Sequence, residues 1–378
     1  MDENPGRGMA PNRRGVLIGA SAWATVATLA AESLGMAHAG GAAEPPKGGG
    51  GVSFAEDHVR KLAEKLAAGD FVRPKAEVPE PFNALTPEQY RDIRLRPKAT
   101  LWRGDGLGYE VRPLPLGWIY DAPVEIWVVS GGEAQSLTAD SASFAIGPSI
   151  GKAPNEAPFG FSGFRVSGVI NRVGALDEFV SFQGASYFQA VGQGQRYGLS
   201  ARGLAVETAR PSGEEFPLFR AFWIERPEPG ARLILIHALL DCQSVAGAYK
   251  FIVRPGRETV IDVETTLFPR RSLNHVGIAP LTSMYYIGPA QRRIEGDYRP
   301  AVHNSEGLAV INGSGERLWR PLTNPKMLQT SAFVDKNLKG FGFAQRNRTF
   351  SDFEDVEARY DRRPTAGAGA RSSRGSAR

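Results

Sequence analysis

Hydrophobic and polar positions change their rhythm once along this chain. Phe54, Val59, Leu62, Ala63 and Leu66 fall close to one face of a 3.6-residue period, which predicts a short amphipathic helix ending before Gly69. Thr86, Pro87 and Gln89 then spell a capping box with proline at the first helical position, followed by Tyr90 and Ile93. Both helices are expected to pack on the edge of a strand-built body. From Leu101 the period shortens to two. Val124, Ile126 and Val128 alternate with Glu125 and Trp127, and the runs 233–236, 260–263 and 308–311 are rich in branched apolar residues between turn signals. With no long helical period among them, these short strands predict an all-β protein, a large β-sandwich or related barrel with short N-terminal helices.

Composition agrees with a turn-rich fold: 44 Gly and 27 Pro punctuate 378 residues, while 42% hydrophobic and 10% aromatic content excludes a wholly disordered chain. The net charge is +5, and three of those positive charges are Arg371, Arg374 and Arg378 near the C-terminus. A body so weakly charged carries no electrostatic footprint for nucleic acid. The single cysteine forbids an intramolecular disulfide, and Cys242, following an apolar run, reads as a core thiol. Five histidines without paired spacing give no metal site, and no cofactor is expected.

Residues 1–39 read as a twin-arginine export signal. Arg13 and Arg14 precede an apolar stretch from Val16 to Ala31 that Gly19 interrupts, and Ala37, His38 and Ala39 place cleavage after Ala39. The stretch is too short for a membrane span, so the expectation is a periplasmic protein that does not cross the membrane. Residues 40–52 come next as a flexible linker, 53–363 as the sandwich domain, and 364–378, lacking any large apolar side chain, as a disordered tail.

Common catalytic signatures are missing. Gly192, Gly194 and Gly198 do not keep dinucleotide-binding spacing and read as a hairpin turn, and the GASYF string at 184–188 fails the last position of a serine-hydrolase elbow. What remains is aromatic, Arg and carboxylate residues in turn-rich segments. Flat rings beside planar hydrogen-bonding groups suit sugars, which expose an apolar C–H face and a rim of hydroxyls. The same residues also build cores and structural ion pairs, so both readings are open at this level.

The strings GASYF (184–188), YGLSARGLA (197–205), SGEEFP (212–217), FWIERP (222–227), ALLD (238–241), GAYKF (247–251), APLTSM (279–284) and WRPLTNP (319–325) occur in one order. In that order they resemble the periplasmic glucan biosynthesis proteins G and D, from about Phe54 to Pro364. The resemblance implies a β-sandwich with a carbohydrate cleft, followed in the family by an immunoglobulin-like domain that is expected to be absent here. It also implies a role in osmoregulated periplasmic glucans, whose backbones are β-1,2-linked glucose, with a membrane glucan synthase as a further partner. Some members resemble inverting glycoside hydrolases, which need a general acid and a general base about 6.5–9.5 Å apart or linked by water.

The family's base is the Asp of an HDS(D/N)GL segment, here HNSEGL at 303–308. Asn304 therefore stands at the base position, where a carboxamide has no useful basicity. Glu306 is the substitute nearest in sequence. The family's acid lies beyond a YxxRP motif, here YDRRP at 360–364, after which this chain leaves the family pattern. The resemblance assigns Tyr187, Tyr197, Arg202, Glu215, Trp223, His303 and Arg320 to cleft walls or sugar hydroxyls. Each has a structural alternative: Arg202 paired with Glu214 or Glu215, Trp223 in the core, His303 orienting its turn. The functional readings are then a glucan-binding and glucan-trimming protein, a non-catalytic binding or scaffolding protein, or an inactive truncated member.

Overall fold

The structure, a computed structural model, describes residues 51–369 except 77, 79, 139–140, 152–159 and 289–295. The expected signal segment and the linker up to residue 50 lie outside the described residues. Two large sheets dominate. The longer runs in the spatial order Val52–Ser53, Glu133–Ser136, Glu125–Ser130, Leu218–Glu225, Ile234–Asp241, Val245–Arg254, Val260–Pro269. Its pairs are antiparallel except Glu125–Ser130 against Leu218–Glu225. The second has six strands, Leu281–Thr282, Ser200–Arg202, Tyr187–Ala190, Asp177–Gln183, Phe161–Gly168 and Tyr109–Pro115.

Alternation decides what lies between the sheets. On Val245–Arg254, Tyr249, Phe251 and Val253 point into the core while Lys250, Ile252 and Arg254 are only half-buried. Phe182 of the six-stranded sheet meets Phe222 and Phe251 of the long one edge to face, at 5.4 and 5.1 Å between ring centres. These contacts establish the all-β sandwich expected from the pattern. Cys242 sits in the same core, its thiol donating to the Val245 carbonyl, and burial pushes it up to about 12.

The first helix, His58–Ala67, covers a face of the long sheet rather than an edge. Outward-pointing residues of the strands explain the difference: Trp223, Ala221, Leu239 and Ala248 form an apolar patch that Val59 and Leu62 close. Arg270 fastens the helix end by donating to the Leu66 and Gly69 carbonyls at 2.7 and 2.8 Å, satisfying acceptors a helix terminus leaves free. The second helix, Pro87–Arg91, has the capping box read from sequence. Its Tyr90 donates to the Pro115 carbonyl at 2.7 Å, at the edge strand of the six-stranded sheet.

A third, four-stranded sheet in the order Arg317–Pro321, Gly307–Ile311, Gly340–Ala344, Ala366–Ala368 completes the fold. The last strand corrects the expectation of disorder from 364 onward over its first residues. Pro364 is buried, and Ala366–Ala368 pairs with 341–343, because small residues let the backbone approach Gly342 closely. Residues 370–378 lie outside the described residues.

Candidate functional site

The residues singled out from sequence fall into two groups and several separate places. Tyr187 and Arg202 are paired neighbours on the six-stranded sheet. The Arg202 guanidinium lies between the rings of Tyr187 and Phe216, 5.2 and 5.1 Å from their centres, and donates to Glu214 Oε1 at 2.6 Å. Phe216 is 48% exposed, so this stack is open on one side. The next strand leads away from it: Arg202 N–H donates to the Pro280 carbonyl, Ser200 pairs with Thr282, and Asn304 N–H donates to the Met284 carbonyl at 2.8 Å. The stretch 280–284 thus links the Arg202 stack to the HNSEGL segment.

That segment is buried throughout, from His303 to Glu306. His303 stacks on Tyr285 with ring centres 5.4 Å apart and 5° between planes, and Phe353 meets it edge-on. Burial holds the His303 imidazole below its ordinary range, against the pull of Glu306 and Gln345. Glu306 is occupied: its Oε1 accepts from Arg346 N–H at 2.8 Å and from Arg346 Nε at 2.6 Å. The Arg346 guanidinium in turn lies over the Trp319 ring. The Asn304 carboxamide oxygen is buried with no donor among the described residues. A Cβ on Gly198 would lie 3.0 Å from it, so Tyr197 and its glycine neighbour do reach the segment through backbone.

The remaining residues stand elsewhere. Trp223 faces away from the sandwich interior, beneath the first helix, stacked on Trp127 and Phe54. Strand parity puts Phe222 and Ile224 inward and Trp223 outward. Glu215 accepts from Ser244 N–H at 2.7 Å, from the Ser244 hydroxyl and from Arg271. Burial pulls its carboxyl up, but the hydrogen bonds from Ser244 and Cys242 outweigh it and hold the group low. The Tyr197 side chain is enclosed beside Glu178 and Arg165, and burial raises its phenol well above the ordinary range. Arg320 lies 3.6 Å over the ring centre of Phe333, in the third sheet and its exposed loop.

The YDRRP side chains carried no individual assignment from sequence. Tyr360 and Phe353 pack with Ile287, Ala301 and Val302 into a small core behind His303, and Gln345 Nε2 donates to the Tyr360 carbonyl at 2.6 Å. Arg363 is fully buried beside Tyr360. Next to this core a surface pocket of about 630 Å³ is bounded by Asp297, Tyr298, Arg299, Asp355, Val356 and Glu357. Arg299 bridges Asp297 at 2.8 Å and Asp355 at 2.9 Å, and its hydrogen bonds hold the Asp297 carboxyl down to about 2. Tyr298, 67% exposed, stands on this frame as an open aromatic face. Among the described residues no three His, Cys, Asp or Glu side chains gather as metal ligands, and no helix is long and apolar enough to cross a membrane.

Comparison with known proteins adds independent findings. The family model described as "Periplasmic glucan biosynthesis protein, MdoG" matches residues 54–375. Glucans biosynthesis protein G of Shewanella sp. (strain W3-18-1) is 50% identical over 313 residues, covering 83% of this chain and 58% of the relative. Its namesake from Rhodopseudomonas palustris (strain ATCC BAA-98 / CGA009) is 47% identical over 314 residues, 83% of this chain and 62% of the relative. That of Vibrio cholerae serotype O1 (strain M66-2) is 47% identical over 313 residues, with 83% and 57% covered. The chain thus spans about three-fifths of the length of these curated relatives.

Proposed function

Because the chain belongs to the periplasmic glucan biosynthesis family, we propose that it binds the β-1,2-linked backbone of periplasmic glucans and does not hydrolyse it. One observation carries the second half: Asn304 stands at the family's base position, and the nearby Glu306 accepts two hydrogen bonds from Arg346 on its Oε1. A general base must hold a lone pair within reach of the attacking water. The Asn304 carboxamide has no useful basicity, and the Glu306 carboxylate is turned to Arg346. Glu306 as substitute base would have to act from within a charge-assisted pair with Arg346.

Binding has two supports. Arg202 between Tyr187 and the exposed Phe216 presents a flat, partly open stack, and Tyr298 presents an aromatic face beside carboxylates already oriented by Arg299. Sugar rings lay their C–H faces on such surfaces and direct hydroxyls to the flanking acceptors. The protein acts in the periplasm after export through the twin-arginine signal of residues 13–39 and cleavage after Ala39, and hands or holds nascent glucan near a membrane synthase.

Calorimetric titration with linear β-1,2-glucan, followed by the chain-length distribution of the same sample, tests both halves. Saturable binding with an unchanged distribution is expected. Shortened chains would overturn the non-catalytic reading, and absence of any binding would overturn the glucan reading.

A further inference from the structure

The third sheet turns one face toward the HNSEGL segment and leaves the other to a single long loop. Register puts Gly307, Ala309, Trp319 and Gly342 on one side, and Leu308, Val310, Arg320, Phe341 and Phe343 on the other. On the first side the Trp319 ring lies against Gly307 and beneath Arg346, which holds Glu306. The second side carries the loop between Arg317–Pro321 and Gly340–Ala344, since the Arg320 guanidinium lies 3.6 Å over the ring centre of Phe333. Two further points hold that loop: Asp335 accepts from the Gly313 N–H at 3.1 Å, and Asn324 donates to the Tyr286 carbonyl at 3.3 Å.

Every residue from 323 to 339 is exposed. Met327 and Leu328 are 76% and 78% exposed, and Val334, next to the stacked Phe333, is wholly so. Single apolar side chains on a surface are ordinary, but several raised on one loop within a charged rim mark a contact site. The rim is mostly of one sign. From 311 to 339 the chain carries Arg317, Arg320, Lys326, Lys336 and Lys339 against Glu316 and Asp335. Both carboxylates are engaged locally, Asp335 by Gly313 and Glu316 by the Asn312 carboxamide at 2.9 Å. Arg317, Lys326, Lys336 and Lys339 are exposed and form no ion pair among the described residues.

We infer that this loop is a peripheral anchor for an anionic phospholipid surface. Met327, Leu328 and Val334 enter the boundary between headgroups and acyl chains, and the four unpaired cations meet lipid phosphates. Charge and shape select this occupant. A neutral glucan answers none of the cations, and a second copy would set like charge on like charge. Apolar tips raised on an irregular loop match a fluid surface that closes round them, whereas a protein partner needs a complementary, closely packed patch. Insertion stays shallow, because the loop's backbone groups outside the ladders must keep water. The anchor is separate from the glucan reading and stands whether or not glucan binds.

The test places a reporter at the tip. Leu328→Cys in the full chain is labelled with an environment-sensitive nitrobenzoxadiazole dye, and the buried Cys242 does not compete. A local reporter separates the loop from the apolar stretch of residues 16–31, which would draw the chain to any bilayer by itself. Blue-shifted, brighter emission is expected with vesicles of equal parts phosphatidylglycerol and phosphatidylcholine, and none with phosphatidylcholine alone. The shift should fade as salt rises. Adding Lys326→Gln, Lys336→Gln and Lys339→Gln together should raise the lipid needed for half the shift about 100-fold. All these positions are exposed, so the variants should keep the wild-type melt. No shift with the anionic vesicles, an equal shift with phosphatidylcholine alone, or an undiminished response in the lysine variant would each refute the anchor. A shift produced by raising protein concentration without lipid would refute it too, and assign the loop to a second copy.

Discussion

Asp241 and Arg363 are both buried completely, and the fold treats them in opposite ways. Asp241 Oδ2 accepts from Arg220 at 2.8 Å, and the Arg270 guanidinium lies 2.8 Å from its Oδ1 as an ion pair without hydrogen-bond alignment. Arg363 has no acceptor among the described residues. The difference comes from where each residue sits. Asp241 ends a strand whose register sets it opposite Leu218, so Arg220 arrives from the neighbouring strand and Arg270 from just beyond Val260–Pro269. A regular ladder delivers partners predictably. Arg363 comes directly after the short 3-10 turn Tyr360–Arg362 and meets Gly198 and Asn304 from other connecting segments. Where such segments converge, no ladder enforces pairing.

The sharpest way to break this contrast is to remove the ion-paired member. Asp241→Ala leaves two arginines facing each other in the sheet and should cost about 3–5 kcal/mol, read as a lower urea midpoint. Trp223→Ala should cost about 3–5 kcal/mol by emptying the space beneath the first helix while leaving any glucan affinity unchanged, since that ring faces away from the HNSEGL segment. Asn304→Asp runs the other way, gaining about 1–2 kcal/mol near pH 7 from a new charge-assisted bond to Arg363. Arg363 depresses the folded pKa of that carboxylate. The gain is therefore full above the unfolded value of about 3.9 and disappears as pH falls through the folded one, so the two proteins should become equally stable in acid.

A smaller effect concerns His303. Burial lowers its folded pKa, so below the unfolded value of about 6.5 the unfolded chain takes a proton that the folded chain refuses, and stability falls with pH. His303→Gln should flatten that part of the curve of urea midpoint against pH. Smallest is Thr86→Ala, which removes the capping box of the second helix at about 1 kcal/mol. A loss there as large as for Asp241→Ala would show that short helix to be holding the whole edge of the six-stranded sheet.

Local signals carried much of the fold. The capping box at Thr86 and the apolar face beginning at Val59 involve residues within one or two turns of each other, and both helices form where the spacing puts them. Strand alternation identified the sandwich, but parity alone does not say which face turns inward. Trp223 and Phe222 are equally apolar, and only the docking of the helix shows which is outside. The candidate site was legible as a segment and not as a constellation. Asn304 could be read from its string, whereas Arg346 on Glu306, and Gly198 between Asn304 and Arg363, join residues separated by tens to more than a hundred positions. Nothing in local periodicity encodes such meetings.

The strand Ala366–Ala368 borders the third sheet with three small residues and no large side chain to anchor it. In hydrogen-exchange terms, those amides of 341–343 that bond to it should be released by local opening, below the cost of global unfolding. Each such opening bares a glycine-containing strand with unpaired N–H and C=O groups, a template on which an extended segment of another chain can add. Self-association of this protein should accordingly rise steeply with concentration, begin at this border, and be slowed by a proline introduced at Phe341.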